Sequence, residues 1–219
     1  MKNVDELSLK VLGYIENPDK YVYPFIIKEK NGKERTIITY NKYGSYGGSL
    51  RRTHEQITEA FKTNFYQRNL NSYAYHKNVR CFDALQNHLK SNYFIKIDIH
   101  HFFESITLER FFKEYGDYFN NHWKTAIKGL FYKDSLSIGF VSSPVISDFF
   151  MKRFDNSVEE YLLNHPELHY SRYSDDMLLS SELDNDESLE ALFTFIVDEL
   201  KKYGLEINDK NRRGQVWMI

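Results

Sequence analysis

The chain has 219 residues, 42% of them apolar and 16% aromatic, with 29 basic and 31 acidic side chains and a formal net charge of −2. That length and apolar content fit one domain or two closely joined lobes and exclude a disordered chain, while the near-neutral balance confines any nucleic-acid-binding surface to a local basic patch. The single cysteine, Cys81, excludes an intrachain disulfide and a thiolate-only metal site; with no leader-like apolar segment and no apolar run near the roughly 20 residues of a membrane helix, the chain reads as cytoplasmic and without membrane contact.

In chain order, "VYPFIIKEKNGKERTIITY" predicts a β-hairpin: strand Phe25–Lys28, a turn at Asn31 and Gly32, then strand Arg35–Thr39, carrying Lys28, Lys30, Lys33 and Arg35. "YGSYGGS" predicts a break. After it Leu50–Tyr66 reads as a helix with Ile57, Ala60, Phe61 and Phe65 on one face, and a second helix is expected over Cys81–Lys90. "YFIKIDIHHFFESI" alternates with period two, Ile95, Ile97 and Ile99 on one face and Phe94, Lys96 and Asp98 on the other, so it reads as a strand with its acid near the end. Phe111–Phe131 is mostly helical by pattern. "SIGFVSSPVISDFFMKRFDNSVEEYL" begins one helix, with Ser143 as N-cap and Pro144 at the first helical position.

"YSRYSDDMLLS" then sets Asp175 and Asp176 between two short strands, Tyr170–Tyr173 and Met177–Ser180. Two carboxylates about 4 Å apart repel by roughly 4 kcal/mol at an effective dielectric near 20. A turn accounts for such a pair by itself, because Asp caps local backbone groups; a metal site requires a third carboxylate from elsewhere. Glu187–Tyr203 follows as an amphipathic helix closed by Gly204, and "QVWMI" reads as a short apolar strand that pairs at a sheet edge. This order of strand, helices, hairpin, helix and strand predicts an α+β sheet with helices on one face, on which Asp98 can lie beside the Asp175–Asp176 turn. "HEQIT" at His54 lacks the second histidine of a zinc-protease helix, and "YGGS" is not the loop of the cyclases that share this architecture. His100 shares a strand face with Asp98, which a polar groove residue explains as well as a metal ligand.

Four segments together resemble reverse transcriptases of the bacterial type, the group that includes group II intron, retron and defence-associated enzymes. "IDIHHFFESI" is similar to the family's first catalytic motif, "IGFVSSPVISDFFMKRFD" to its Gly-x-x-x-Ser-Pro helix segment, "RYSDDMLLS" to its Tyr-x-Asp-Asp hairpin and "GLEINDKNRR" to its Gly-Leu-x-x-Asn-x-x-Lys segment. "NGKERTI" falls where these enzymes carry a finger hairpin. The resemblance runs from about Phe25 to the C-terminus. It implies a right-hand polymerase palm, an antiparallel sheet with helices on one face, over residues 93–219, with a helical fingers insertion at about 107–136. Residues 1–92 would form the N-terminal part of the fingers, with the basic hairpin at 25–39, and no thumb follows.

The implied activity is RNA-directed DNA synthesis by two-metal phosphoryl transfer, with two Mg²⁺ ions, or Mn²⁺ in their place, on Asp98, Asp175 and Asp176. Asp98 and Asp175 would be direct ligands and Asp176 a supporting one. The resemblance further assigns Lys28, Lys33 and Arg35 to the triphosphate, Lys210 to the pyrophosphate as general acid, Phe103 to the steric gate against a ribose 2′-hydroxyl, Tyr173 to the primer terminus and Gly139 to close backbone approach. Expected partners are an RNA template or non-coding RNA, deoxynucleoside triphosphates, the DNA product, and a protein partner, second copy or C-terminal continuation that supplies the thumb. Anti-phage defence is the setting such small enzymes imply. Ile138 stands where the family usually has Gln, and Glu104 where it usually has Asp. The second is a small change; Ile138 and the missing thumb keep two other readings open: a weakly active or inactive polymerase-like subunit that binds RNA or a partner enzyme, and a template-independent nucleotidyltransferase.

Overall fold

The computed structural model describes residues 3–28, 32, 34–43, 45–183, 187–208 and 217–218. The chain divides into two compact units, one of residues 1–67 and 103–147, the other of residues 68–102 and 148–219.

The first unit opens with helix α1 (Val4–Glu16), whose first turn is capped by the Asn3 side chain accepting from the Asp5 amide at 3.2 Å. Leu7, Val11 and Tyr14 recur at helical spacing and are buried, on the side that meets α2 (Ser45–Phe65) and α5 (Asn121–Lys128). The predicted hairpin is present and longer than expected: β1 (Val22–Lys28) pairs antiparallel with β2 (Glu34–Tyr40), in register from Val22 against Tyr40 to Lys28 against Glu34. Val22, Ile38 and Tyr40 bury the root of this ribbon, whereas Phe25, Ile26 and Ile27 are exposed toward its tip. Its turn residues Lys30, Asn31 and Lys33 lie outside the described residues.

Helix α2 begins inside the predicted break, at Ser45. Gly47 makes this possible, because a Cβ there would stand 2.2 Å from the Asn41 carbonyl oxygen. The stretch expected to be mostly helical over Phe111–Phe131 holds two α-helices, α4 (Leu108–Tyr115), preceded by the short α3 (Phe102–Ser105), and α5, each started by its own cap: Thr107 Oγ1 accepts from the Arg110 amide, Asn120 Oδ1 from the Trp123 amide. Phe61 and Phe65 pack edge-on against Trp123, joining α2 to α5.

The helix that starts at Ser143 also divides, into α6 (Ser143–Phe150) and α7 (Lys152–Leu162) around Met151. In the second unit, β3 (Tyr93–Asp98), β4 (Leu168–Tyr173), β5 (Asp176–Ser181) and β6 (Trp217–Met218) form an antiparallel sheet in the order β4-β5-β3-β6. The C-terminal apolar strand therefore finds its partner within the chain, on β3. Alternation divides the sheet as expected: Ile95, Ile97, Met177 and Leu179 share one buried face, covered by α7 and by α8 (Glu187–Lys202), while Lys96, Asp98 and Asp176 share the other. Cys81–His88 is a 3-10 segment rather than an α-helix. It packs on β4, and its His88 ring bonds to the Ser171 and Ser180 hydroxyls at 2.9 and 2.6 Å.

Candidate active site

The β4–β5 hairpin closes at the Tyr173–Asp176 pair, leaving Ser174 and Asp175 as a two-residue turn. Ser174 has φ +63°, a left-handed conformation uncommon for a residue with a Cβ. On the neighbouring strand Asp98 pairs directly with Asp176, so these two side chains leave the same face of the sheet. The Ile99 amide donates to the Asp175 carbonyl at 3.1 Å, which ties the end of β3 to the turn. The second unit thus brings Asp98, Asp175 and Asp176 into one neighbourhood.

Each acid has a different environment. Asp98 is gripped by Asn208, whose amide donates to the Asp98 carbonyl at 2.8 Å and whose Nδ2 donates to Oδ2 at 3.1 Å. Asp176 Oδ1 takes an ion pair with Lys96 Nζ at 2.8 Å. Asp175 is half-buried, and its carboxyl is held above the usual carboxylate range, first by burial and then by the like charges of Asp176 and Asp98; its own backbone N–H and the Ser174 hydroxyl pull the other way. Lys96 is shifted up by its bond to Asp176 and by the field of the three acids. The net result is a patch of oxygen donors whose charge is only partly compensated.

Such donors fit a hard divalent cation. Among the described residues no three His, Cys, Asp or Glu side chains close into a metal-holding group, and these residues build no all-protein cage. Magnesium does not require one: it is commonly held by one or two carboxylates together with substrate phosphates. With Asp176 engaged by Lys96, Asp98 and Asp175 are the carboxylates suited to that task.

The remaining candidates are distributed over both units. Tyr173 is partly exposed beside the turn. Phe102 belongs to the core, and Phe103, the candidate gate, is only half-buried. Gly139 has φ +107°, and a Cβ there would stand 2.5 Å from the Ile38 carbonyl oxygen; the Ile38 amide in turn donates to the Ile138 carbonyl at 2.8 Å. This glycine is therefore required by packing against β2. Arg35 is exposed on the hairpin, and Lys28 is paired with Glu34 at 3.3 Å on its surface. Lys33 and Lys210 lie outside the described residues.

Sequence reasoning passed over a buried cluster behind the turn. Arg172 is 0% exposed. Its Nε and Nη2 donate to Asp155 at 2.9 and 2.6 Å, Nη2 also donates to Asp148 at 2.8 Å, and Nη1 donates to the Ser174 carbonyl at 3.1 Å. Burial opposes the charge, but Asp155 and Asp148 outweigh it and raise the Arg172 pKa. The signal was available: alternation places Arg172 on the apolar face with Tyr170, and Asp148 and Asp155 interrupt an otherwise apolar helical stripe.

The family model described as reverse transcriptase (RNA-dependent DNA polymerase) matches residues 27–212. Over 51% of its length the chain is 32% identical to the retron Ec73 reverse transcriptase of Escherichia coli, covering 40% of that protein. Among solved structures it is similar to apo telomerase from Candida tropicalis, with TM-score 0.57 and 11% identity over 97% of this chain and 49% of that one. Telomerase from Candida albicans in complex with a TWJ fragment of telomeric RNA is similar at TM-score 0.57 and 11% identity, over 90% of this chain and 42% of that one. At such identity the structural likeness is one of fold, and it agrees with a mixed helical and antiparallel-sheet palm with fingers. The chain spans about half the length, or less, of these relatives.

Proposed function

This chain belongs to the reverse transcriptase (RNA-dependent DNA polymerase) family and is of its bacterial type, and we propose that it joins deoxynucleotides to a primer on an RNA template at the Asp98–Asp175 site. The observation that supports this most directly is the meeting of Asp98 with the Asp175–Asp176 turn on the face of the sheet opposite α7 and α8. Asp98 and Asp175 would hold two divalent cations, Mg²⁺ with Mn²⁺ as substitute. When bound, these would supply charge neutralisation at the phosphates and activation of the primer hydroxyl.

The residues of the chain do the rest. Asn208 fixes the Asp98 carboxylate in orientation, and Lys96 draws Asp176 aside, which leaves Asp175 facing the substrate. Arg35, Lys28 and Lys33 on the finger hairpin bind the triphosphate, Arg35 with a planar fork suited to phosphate oxygens. Lys210 donates the proton to the pyrophosphate as it leaves. Phe103 fills the space a ribose 2′-hydroxyl needs, Tyr173 supports the primer terminus, and Gly139 keeps the loop before α6 close to β2 and so to the nascent pair. Residues 1–92 with the insertion at about 107–136 act as fingers and the remainder as palm. Further polypeptide, a second copy or an RNA completes the grip on the duplex, in a setting of anti-phage defence.

The test is incubation of the purified chain with labelled deoxynucleotides, a primed RNA template and Mg²⁺ or Mn²⁺, beside an Asp175→Asn control. Template-dependent, deoxynucleotide-selective incorporation that the control lacks is expected. Incorporation that ignores the template would move the reading to an untemplated transferase, and equal incorporation by the control would remove the active site from this position.

A further inference from the structure

Ser174 occupies a left-handed backbone conformation that glycine adopts without strain and that is unfavourable for a residue with a Cβ unless its surroundings fix it. Two side chains reach it. Arg172 Nη1 donates to its carbonyl oxygen at 3.1 Å, and the Tyr75 and Ser174 hydroxyls are hydrogen-bonded to each other.

Both side chains are themselves held from behind. Arg172 is anchored by Asp148 and Asp155. Tyr75 sits on the segment 71–76, which runs along β4: the Arg172 amide donates to the Asn71 carbonyl at 2.8 Å and the Tyr73 amide donates to the Arg172 carbonyl at 2.9 Å. Ser72 Oγ donates to Asp148, and His76 Nε2 lies 3.5 Å from the same carboxylate. One buried acid therefore serves the arginine and the segment that carries the tyrosine. Tyr75 also has a left-handed backbone, with φ +66°, and it remains partly exposed, unlike a core tyrosine.

We propose that Tyr75 and Arg172 are positioning residues that clamp Ser174, by its hydroxyl and its carbonyl, in the left-handed turn and so aim the Asp175 carboxylate. Serine rather than glycine stands at the turn because its hydroxyl is the handle. The proposal rests on the reading of Asp175 as a cation-holding group.

Its test uses the full chain with Tyr75→Phe, Ser174→Ala, the double variant, Ser174→Gly, Arg172→Lys and Asp175→Asn. Four measurements are compared: melting temperature, Mn²⁺ binding without nucleotide by electron paramagnetic resonance, amide hydrogen exchange over residues 173–176, and kcat and KM for deoxynucleotide. Tyr75→Phe and Ser174→Ala are each expected to weaken Mn²⁺ binding and lower kcat about three- to ten-fold, the range a single hydrogen bond supplies. Exchange at the turn should quicken while KM stays within about two-fold, because a hydrogen bond behind the carboxylate does not touch the nucleotide. The double variant should be no worse than the weaker single, since the two hydroxyls act as one pair. Ser174→Gly should share the loss although it relieves the backbone. Arg172→Lys, which keeps the charge and loses the fork, should resemble Tyr75→Phe; should it fail to fold, the hydroxyl variants decide. A lowered melting temperature with unchanged Mn²⁺ binding and exchange overturns the proposal, as do fully additive losses. If Asp175→Asn binds Mn²⁺ as the wild type does, the cation reading falls first.

Discussion

At the scale of single residues, the acids differ less in charge than in what holds them. Asp98→Asn keeps an oxygen for the Asn208 bond and removes one of three crowded charges, so synthesis should fall by at least about a hundred-fold while the fold in metal-free buffer is retained or slightly more stable. Primer extension and denaturant melts measure the two effects, and activity within a few-fold of wild type would contradict the role of Asp98. Phe103→Val opens the space beside the proposed sugar site. Ribonucleotide use relative to deoxyribonucleotide should rise about ten-fold or more, the scale on which a pocket discriminates added bulk; an unchanged ratio in an active variant would make Phe103 a packing residue. The three acids were singled out by the resemblance of the motifs that carry them, each local to its own segment, while their meeting depends on the pairing of β3 with β5. Asn208 stands in a quoted motif, but its bond to Asp98, like that of Lys96 to Asp176, joins distant segments and was not legible.

At the scale of elements, the sequence located each piece more reliably than its ends. Strand β3 follows from period-two alternation, and β4 and β5 from the short runs that flank Asp175 and Asp176, whereas α2 starts inside a glycine-rich segment because Gly47 lies against the Asn41 backbone. Division of the helix after Ser143 at Met151 was equally hidden, since the apolar spacing continues through it. Gly139 gives an element-scale prediction. Gly139→Ala combines a disfavoured φ with a Cβ 2.5 Å from the Ile38 carbonyl oxygen, so it should destabilise the chain by more than about 2 kcal/mol, read by urea denaturation. A neutral effect would show that the loop before α6 moves freely from β2.

At the scale of the whole molecule, each unit contains one buried, uncharged histidine. Burial pulls His54 down to about 3, and burial with the nearby His169 pulls His88 down to about 4. Because both folded values lie below the ordinary 6.5, the unfolded chain binds protons first as pH falls. The stabilisation is complete above pH 6.5 and is lost below it, with a slope approaching about 1.4 kcal/mol per pH unit for each histidine. Denaturant titrations from pH 7.5 to 5 check this, and His54→Phe should remove about half of the slope; a flat profile would contradict it. The net charge of −2 bears on nucleic-acid grip. Duplex binding depends on many phosphate contacts, so the chain by itself should bind primer–template weakly, with affinity falling further as salt rises, and should tighten when a partner is added. Light scattering with a salt-dependent binding titration tests this; a monomer that binds tightly and extends processively alone would refute it.

The sequence by itself determined the family and the α+β class and singled out the three acids as candidates, because motifs and strand alternation depend on neighbours along the chain. Only the tertiary structure decided which residues stand around those acids. Arg172, Asp148 and Asp155 come from separate elements and meet where burial makes an unpaired charge too costly to leave alone. Asn208 on Asp98 and Lys96 on Asp176 likewise join segments far apart in the sequence, Lys96 and Asp176 as a solvent-exposed pair across β3 and β5. A one-dimensional pattern records that these side chains exist; the pairing of strands and the exclusion of water determine what each one holds.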